Sequence, residues 1–271
     1  MNNVHKNRRK DMYMADKKRK KIVRPLLCIL SAAVVAAGVF TANMFGLFHA
    51  GNRGEYSVKN MQPETNSPLQ GKTVLFLGSS VTYGYASMGE SFADYLAATD
   101  GIICRKEAVS GTTLADLSGN SYVSRLQKTD TSVRPDVFVC QLSTNDATKN
   151  IPLGSISDTT DAASFDTSTV AGAIEFIISY VRQTWNCPVV FYTQAKYDSA
   201  AYADMVDLLA TIAAKWDITV LDLWNNEEVN AITQEQRELY LVDAIHPTKA
   251  GYAQWWLPHF RSCLIEVLQK A

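Results

Sequence analysis

From residue 73 onward, short apolar segments alternate along the chain with amphipathic ones. Five segments are rich in strand-forming residues: TVLFLG (73–78), GIICRKEAV (101–109), DVFVCQLS (136–143), PVVFYT (188–193) and ITVLDLW (218–224). Between and after them, apolar residues recur at helical spacing, most clearly at 171–185, 202–216 and 250–269. Strands that alternate with helices form parallel sheets, and strands that are apolar throughout are covered on both faces. The sequence therefore predicts an α/β domain with a five-stranded parallel sheet between helical layers.

Polar residues follow the ends of three of these strands. Sheets of this kind place their chemistry beyond the carboxyl ends of the strands. The first strand runs into Gly78, Ser79 and Ser80, the second into a loop with Gly111, and the third into Asn145. A serine at a strand-to-helix turn can project its hydroxyl beyond the sheet, although serines also cap helices and form ordinary turns.

A carboxylate and an imidazole stand three residues apart in VDAIHPTKAGY (242–252), as Asp243 and His246. His246 can accept a proton from a serine hydroxyl, and Asp243 can hold the ring in the required tautomer. The alternative is a structural aspartate cap with a histidine packed beside it.

Gly111 can turn its N–H toward a developing oxyanion, and the Asn145 amide can donate to it, although both residue types also occur in ordinary loops.

In this order, the four blocks resemble the SGNH/GDSL hydrolase family. GSSVTYG resembles its first block, with Ser80 in the nucleophile position, and Asp243 and His246 match its Asp-x-x-His block. Gly111 and Asn145 match the blocks that supply oxyanion donors, together with the Ser80 N–H. The resemblance covers residues 72–269 and implies a flavodoxin-like three-layer α/β/α domain over residues 71–271. It also implies an ester-hydrolysing activity that needs neither metal nor organic cofactor.

The chain departs from the family pattern at two positions. Ser79 stands where the family usually has an aspartate before the nucleophile, and Ser143 stands where a glycine usually precedes the third-block asparagine region. Neither change removes a catalytic group, but both affect the shape of the pocket. The sequence leaves the substrate-binding residues unknown.

Charge is distributed unevenly along the chain. Of its 26 Lys and Arg and 27 Asp and Glu, residues 1–24 hold ten and two, which leaves 16 and 25 for the rest. An acidic body argues against nonspecific nucleic-acid binding, which needs a positive surface. We therefore expect no nucleic-acid partner.

The basic segment 1–24 is followed by a charge-free run, Leu26 to Phe48. As a helix it would be about 34 Å long, enough to cross the hydrocarbon core of a bilayer. Its basic flank predicts a cytoplasmic leader (1–24), a transmembrane signal-anchor helix (25–48) and a catalytic domain outside the cell. A signal peptide, cleaved to release the domain, is the alternative. Residues 49–70 are polar and contain Gly, Pro, Asn and Ser, and they predict a flexible linker.

The four cysteines outside the apolar run, Cys104, Cys140, Cys187 and Cys263, show no CxxC spacing and no histidine cluster. The spacing argues against a metal site, and buried thiols are the default for the two in predicted strands. A disulfide between Cys187 and Cys263 stays open, as does the oligomeric state.

The expected substrate is an acylated small molecule or glycan, with O-acetyl groups on a cell-envelope or other extracellular carbohydrate as the first choice. A lipase, lysophospholipase or thioesterase activity is the alternative. A catalytically idle glycan-binding module is an alternative of another class. The long polar loop 147–168 is expected to border the pocket, and three tryptophans, Trp224, Trp255 and Trp256, either stack on sugars or pack in the core.

Overall fold

The computed structural model describes residues 8, 12–14, 30–42 and 46–270. Met1–Met44 and Phe45–Ala271 form two compact units. In the first, residues 30–42 are helical and carry exposed apolar side chains. The predicted leader, apart from residues 8 and 12–14, and residues 25–29 and 43–45 of the predicted anchor lie outside the described residues. Within the described part of the chain, no helix combines the length and the apolar character needed to span a bilayer.

Within residues 46–270, five strands form one parallel sheet, and all five correspond to the predicted segments. They are β1 (Thr73–Gly78), β2 (Ile103–Ala108), β3 (Val137–Gln141), β4 (Val189–Tyr192) and β5 (Thr219–Leu221). Their order in the sheet is β2-β1-β3-β4-β5. This is the flavodoxin-like order, and its winding direction reverses between β1 and β3. A crevice therefore opens beyond the carboxyl end of β1.

Helices of two kinds connect the strands in this part of the chain. The longer ones are α2 (Phe92–Asp100), α5 (Val170–Thr184), α6 (Ala200–Trp216) and α9 (Leu257–Lys270), the last preceded by a π-helical turn, Gly251–Trp256. The shorter ones are α1 (Ser80–Tyr83), α3 (Tyr122–Leu126), α4 (Thr144–Thr148), α7 (Glu227–Asn230) and α8 (Gln234–Tyr240). Apart from α3, the sequence did not predict the short helices, since one or two turns are too short to show a helical period.

The sheet separates two hydrophobic clusters, which gives the predicted three layers. Along β1, Val74 and Phe76 face the cluster that contains α2 and α9, whereas Leu75 and Leu77 face the cluster that contains α3, α5 and α6. Side chains of a strand alternate between the two faces of a sheet, so an all-apolar strand supplies both clusters.

The three tryptophans left open by the sequence belong to the core. Trp224 is 6%, Trp255 6% and Trp256 0% exposed. Trp224 packs on Tyr202, and Trp255 stacks on Tyr240. The faces of these rings are therefore covered by protein, so the tryptophans pack in the core and are not exposed for stacking on sugars.

The four cysteines among the described residues, Cys104, Cys140, Cys187 and Cys263, are free thiols. Cys187 packs against the α3, α5 and α6 cluster, whereas Cys263 packs against the α2 and α9 cluster on the other face of the sheet. The sheet therefore separates the two thiols, and the disulfide considered from the sequence does not form. Cys140 is buried as predicted, while Cys104 is half-buried.

The segment predicted as a flexible linker is packed onto the domain. Residues 46–60, which we call the strap, form three short 3₁₀ turns, Ala50–Asn52, Gly54–Tyr56 and Val58–Asn60. Its first residues, 46–48, were predicted to end the anchor helix but form a turn, because Gly46 is bound to Asn52 of the strap. Further along, Ser67 Oγ donates to Asp100 (2.8 Å), and Leu69 is fully buried. The polar composition suggested a free linker because it does not reveal that these groups find hydrogen-bond partners on the domain.

Glu90 connects the strap to the domain. Its carboxylate accepts hydrogen bonds from Ser57 Oγ (2.9 Å) and Val58 N (2.8 Å), and it pairs with Lys249 Nζ (2.7 Å). Burial alone would raise the pKa of Glu90, but the hydrogen bonds from Lys249, Val58 and Ser57 outweigh it and lower that pKa below the ordinary glutamate value.

Replacing Glu90 by Gln is expected to lower the free energy of unfolding at pH 7 by about 1–3 kcal/mol, since hydrogen bonds to the charged carboxylate are lost. A lowered pKa makes this contribution fully present above the ordinary glutamate value of about 4.3 and lost as pH falls through the folded value. Urea unfolding should thus show a constant difference between wild type and Glu90→Gln from about pH 7 to 5 and a shrinking one below about pH 4.3. Glu266→Gln, at an exposed position of α9, is the matched control. A difference that persists unchanged at the lowest pH contradicts the assignment.

Candidate active site

Ser80 lies where β1 turns into α1. β1 ends at Gly78, and a Cβ there would lie 1.7 Å from Thr82 Oγ1, so glycine is required by the close approach of α1. Ser80 is the first residue of the helix and is 7% exposed. In the described part of the chain, its N–H donates to no acceptor. The turn thus leaves both a hydroxyl and a free N–H at the carboxyl end of β1.

Gln141, the last residue of β3, fixes the turn between β1 and α1 through hydrogen bonds. Its Oε1 accepts from Ser79 N (2.9 Å) and from Thr82 Oγ1 (2.8 Å). Thr82 Oγ1 in turn lies 2.6 Å from Tyr192 OH on β4. Gln141 was not among the residues predicted from the sequence, although it stands at a strand end, the position that marked Ser80.

His246 lies in a closed loop after α8. Leu241 and Pro247 form an antiparallel bridge, and Val242 N donates to His246 O (3.0 Å). Gln194, just after β4, donates its Nε2 to Ile245 O (2.5 Å). The loop is therefore held from its own two ends and from the sheet, which fixes the position of the imidazole.

Ser80, His246 and Asp243 form one hydrogen-bonded chain. His246 Nε2 lies 2.8 Å from Ser80 Oγ, and His246 Nδ1 lies 2.8 Å from Asp243 Oδ2. An ionised carboxylate can only accept, so Nδ1 carries the proton and Nε2 presents its lone pair to the hydroxyl. The structure thus brings together the three residues that the sequence analysis proposed.

Asp243 also orders its own loop, since its Oδ1 accepts from Ile245 N and His246 N, both at 2.8 Å. Burial would raise the pKa of Asp243, but the hydrogen bonds and charge of His246, together with the two backbone N–H groups, lower it below the ordinary aspartate value. The carboxylate is therefore ionised at neutral pH. Its side chain is 54% exposed, so solvent screens its charge and its main effect on the imidazole is orientation.

Tyr85 packs against the imidazole, with ring centroids 5.3 Å apart and an interplanar angle of 49°. It belongs to a 3₁₀ turn, Tyr85–Ser87, that follows α1. The sequence analysis missed this residue, and nothing in its sequence position marks it as a neighbour of His246.

Gly111 lies in the loop after β2, and Asn145 is the second residue of α4, the helix that follows β3. Asn145 Nδ2 donates to Thr112 O (3.0 Å), which leaves its second amide hydrogen for another acceptor. Gly111 has a positive φ of 79°, a conformation that favours glycine. Its N–H finds no acceptor among the described residues. β2 and β3 flank β1 in the sheet, so the segments that follow them supply two donors near Ser80: the Gly111 N–H and the second amide hydrogen of Asn145.

Two buried charged residues hold these segments. Asp146, which is 0% exposed, accepts from Leu114 N (2.8 Å) and Ala115 N (3.1 Å), and burial raises its pKa. Arg125 donates to Gly78 O (2.7 Å) and to Glu107 O (2.8 Å), and so ties α3 to the ends of β1 and β2. Arg125 carries no sequence signal, since it lies in a short helix away from any strand end.

The two departures from the family pattern have local structural roles. Ser79 donates its N–H to Gln141, and Ser143 caps α4 by accepting from Asn145 N (3.2 Å).

The middle of the loop 147–168 lies on α5 and α6, since Lys215 Nζ donates to Thr159 O (2.9 Å) and pairs with buried Glu175. This part of the loop is therefore bound to the helical layer.

The arrangement supports nucleophilic chemistry at one hydroxyl. The imidazole can take the Ser80 proton, and the backbone N–H groups of Ser80 and Gly111 and the Asn145 amide can receive a negative oxygen. Among the described residues, no group of three His, Cys, Asp or Glu side chains is placed to hold a metal ion.

Two solved structures show how far the fold is shared. A protein from Lactobacillus plantarum is 21% identical with a TM-score of 0.61, and the match covers 73% of this chain and 98% of that one. A carbohydrate acetylesterase family member from Sinorhizobium meliloti is 18% identical with a TM-score of 0.50, over 73% of this chain and 99% of that one. No curated protein sequence matches the chain.

The model of the GDSL-like lipase/acylhydrolase family matches residues 76–254, which is more than half of the chain and includes Ser80, Gly111, Asn145, Asp243 and His246. The hydrogen-bonded serine, histidine and aspartate all lie within that match. The chain belongs to the GDSL-like lipase/acylhydrolase family, and with it to the ester hydrolases.

Proposed function

We propose that the protein is a serine esterase in which Ser80 forms an acyl-enzyme. The observation that carries the proposal is the hydrogen-bonded chain from Ser80 Oγ through the His246 ring to Asp243, with 2.8 Å at each step. A serine hydroxyl is a weak nucleophile, and an adjacent base that is itself oriented by a third group activates it.

In the first half of the reaction, His246 Nε2 takes the hydroxyl proton while Ser80 Oγ attacks the ester carbonyl. His246 then returns that proton to the leaving alcohol, and the acyl group remains on Ser80. In the second half, His246 deprotonates a water that attacks the acyl-enzyme, and the same proton returns to Ser80 as the acid leaves. Asp243 keeps Nδ1 protonated throughout and stabilises the imidazolium.

The tetrahedral intermediates carry a negative oxygen, for which we propose three donors: the N–H groups of Ser80 and Gly111 and the amide of Asn145. Supporting this role, the two N–H groups have no internal partner in the described chain, and Asn145 is held in place by Thr112 O. The buried Asp146 carboxylate accepts from Leu114 N and Ala115 N, which holds the loop that carries Gly111. Donors fixed before the reaction need no reorganisation when charge develops.

For the substrate we propose an O-acetyl group on a carbohydrate or cell-envelope glycan. The structural neighbour from Sinorhizobium meliloti is described as a carbohydrate acetylesterase family member, which supports this choice. A lipase-like or thioesterase activity is the alternative outcome of the substrate test below.

We propose that the domain acts outside the cell, held by the charge-free segment that begins at Leu26 and precedes the strap. The support is the sequence: ten Lys and Arg precede this segment within residues 1–24. Basic residues remain on the cytoplasmic side of a membrane span. The substrate test is therefore run on washed membranes, and esterase activity is also measured in the soluble cytoplasmic fraction. Recovery of all activity in the soluble cytoplasmic fraction contradicts this location.

Replacing Ser80 by Ala is expected to lower kcat by a factor on the order of 10⁴–10⁶, as the loss of a triad serine does elsewhere. A fluorophosphonate probe, which reacts with activated serines, should label the wild type at Ser80 and leave folded Ser80→Ala unlabelled. Ser118→Ala, at an exposed loop position, is the matched control and should label normally. A wild-type protein that resists the probe and hydrolyses no ester points instead to an idle glycan-binding module.

Replacing Asn145 by Ala is expected to lower kcat by about 10²–10³, the usual cost of one oxyanion donor. Asn145→Asp keeps the shape but places a carboxylate where the oxyanion develops, so its loss should be at least as large. Steady-state kinetics on a soluble ester, with thermal unfolding to show that both variants fold, measures the effect. Wild-type turnover by folded Asn145→Ala would remove this residue from the mechanism.

A panel of p-nitrophenyl esters of increasing acyl length, followed by acetate release from acetylated glycans, tests the substrate. We expect turnover of the acetyl ester, a steep fall with longer chains and release of acetate from the glycans. Ser80→Ala provides the background rate in every assay. A preference for long acyl chains assigns the protein to lipid substrates and contradicts the glycan proposal.

A further inference from the structure

The strap crosses the two loops that flank the His246 ring. One is the loop after α1, residues 84–90, in which Tyr85 packs on the ring. The other is the segment after His246, which continues through Pro247 and Thr248 to Lys249. Both loops contribute backbone groups that bind the strap.

Asn52 of the strap binds both loops with one side chain. Its Oδ1 accepts from Lys249 N (2.8 Å), and its Nδ2 donates to Ala86 O (2.7 Å) and to Gly46 O (2.8 Å). Both amide hydrogens and the amide oxygen are therefore engaged, and the residue is 8% exposed. A buried amide whose groups are all paired fixes the backbones that it connects.

The strap backbone lies in direct contact with the histidine loop beside Asn52. A Cβ on Gly51 would stand 2.0 Å from Leu239 O and 2.4 Å from Thr248 Oγ1. Thr248 Oγ1 donates to Leu239 O (2.8 Å), so the strap packs on the hydrogen bond that closes the base of this loop. Only glycine permits such an approach.

Glu90 makes a second connection of the same kind. It joins Ser57 and Val58 of the strap to Lys249 of the histidine loop. Two independent polar contacts thus fix Lys249, one through its N–H and one through its Nζ. Because Lys249 lies only three residues after His246 in the chain, a displacement of Lys249 is expected to move the imidazole as well.

We propose that the strap positions His246 for proton transfer, with Asn52 as the main positioning residue. The inference rests on the proposed function of His246 as the base for Ser80. The strap lies outside residues 76–254, where the family model matches, so the family resemblance does not assign this role. Displacing a reacting group by about 1 Å can cost about 100-fold in rate, so a contact that never touches the substrate can still govern kcat.

Full-length Asn52→Ala and Asn60→Ala test the inference as a matched pair. Asn60 lies in the same strap and also donates its Nδ2 to a backbone carbonyl, but to Gly54 O within the strap (2.6 Å). We expect Asn52→Ala to lower kcat on a soluble ester by about 10- to 100-fold with little change in KM, since the base and not substrate binding is displaced. Asn60→Ala should keep the wild-type kcat.

The ¹H–¹⁵N ring resonances of His246 provide a readout that does not depend on turnover. They should shift in Asn52→Ala and remain in place in Asn60→Ala, because only the first variant alters the histidine loop. If Asn52→Ala loses cooperative unfolding, Glu90→Gln replaces it, with a smaller fall in kcat and a shift of the same resonances.

The outcomes separate the two proposals. A folded Asn52→Ala, or its Glu90→Gln substitute, with wild-type kcat and unshifted His246 resonances overturns the positioning role and leaves the esterase proposal intact. An inactive wild type that the fluorophosphonate probe does not label overturns the proposed function instead. In that case shifted His246 resonances still support the positioning of the ring by the strap, and unshifted ones overturn that as well.

Discussion

The hydrogen bond between Ser80 Oγ and His246 Nε2 joins residues that are 166 positions apart in the chain. An imidazole can accept the proton of a hydroxyl only within hydrogen-bond distance, so the chemistry depends on bringing the end of β1 to the loop after α8. The parallel sheet achieves this because its strands end at one edge. The reversal of winding between β1 and β3 opens the crevice in which the two groups meet.

Buried polar side chains hold that edge without contacting the hydroxyl themselves. Gln141 fixes the serine turn, Gln194 fixes the histidine loop, and Arg125 and Asp146 fix the segments that carry the donors. Each binds backbone groups near the site, and buried backbone groups are costly to leave unpaired. The network therefore stabilises the fold and presets the site through the same contacts, and preset dipoles are the more effective ones in catalysis.

The strap adds a constraint from outside the sheet. Asn52 and Glu90 each connect residues 46–60 to the histidine loop. Apart from residues 46–48, they follow the apolar segment in the sequence, and all of them precede the part of the chain that the family model matches. Their contacts show that a polar segment before a domain can belong to the framework of its site.

Much of the fold and of the site can be read from the amino-acid sequence. The strand-forming segments predicted the five strands and the layers, most clearly for β1, β3 and β4, where burial on both faces leaves a local apolar pattern. The strand-end rule selected Ser80, and the three-residue spacing of a carboxylate and an imidazole selected Asp243 and His246. Strap packing, the sheet between Cys187 and Cys263, and the burial of Trp224, Trp255 and Trp256 left no such pattern. Those features, like the contacts of Arg125 and Asn52, depend on groups distant in the chain. Folding decides whether two residues that are distant in the chain come within hydrogen-bond distance. The residues next to each partner in the sequence do not indicate that it will.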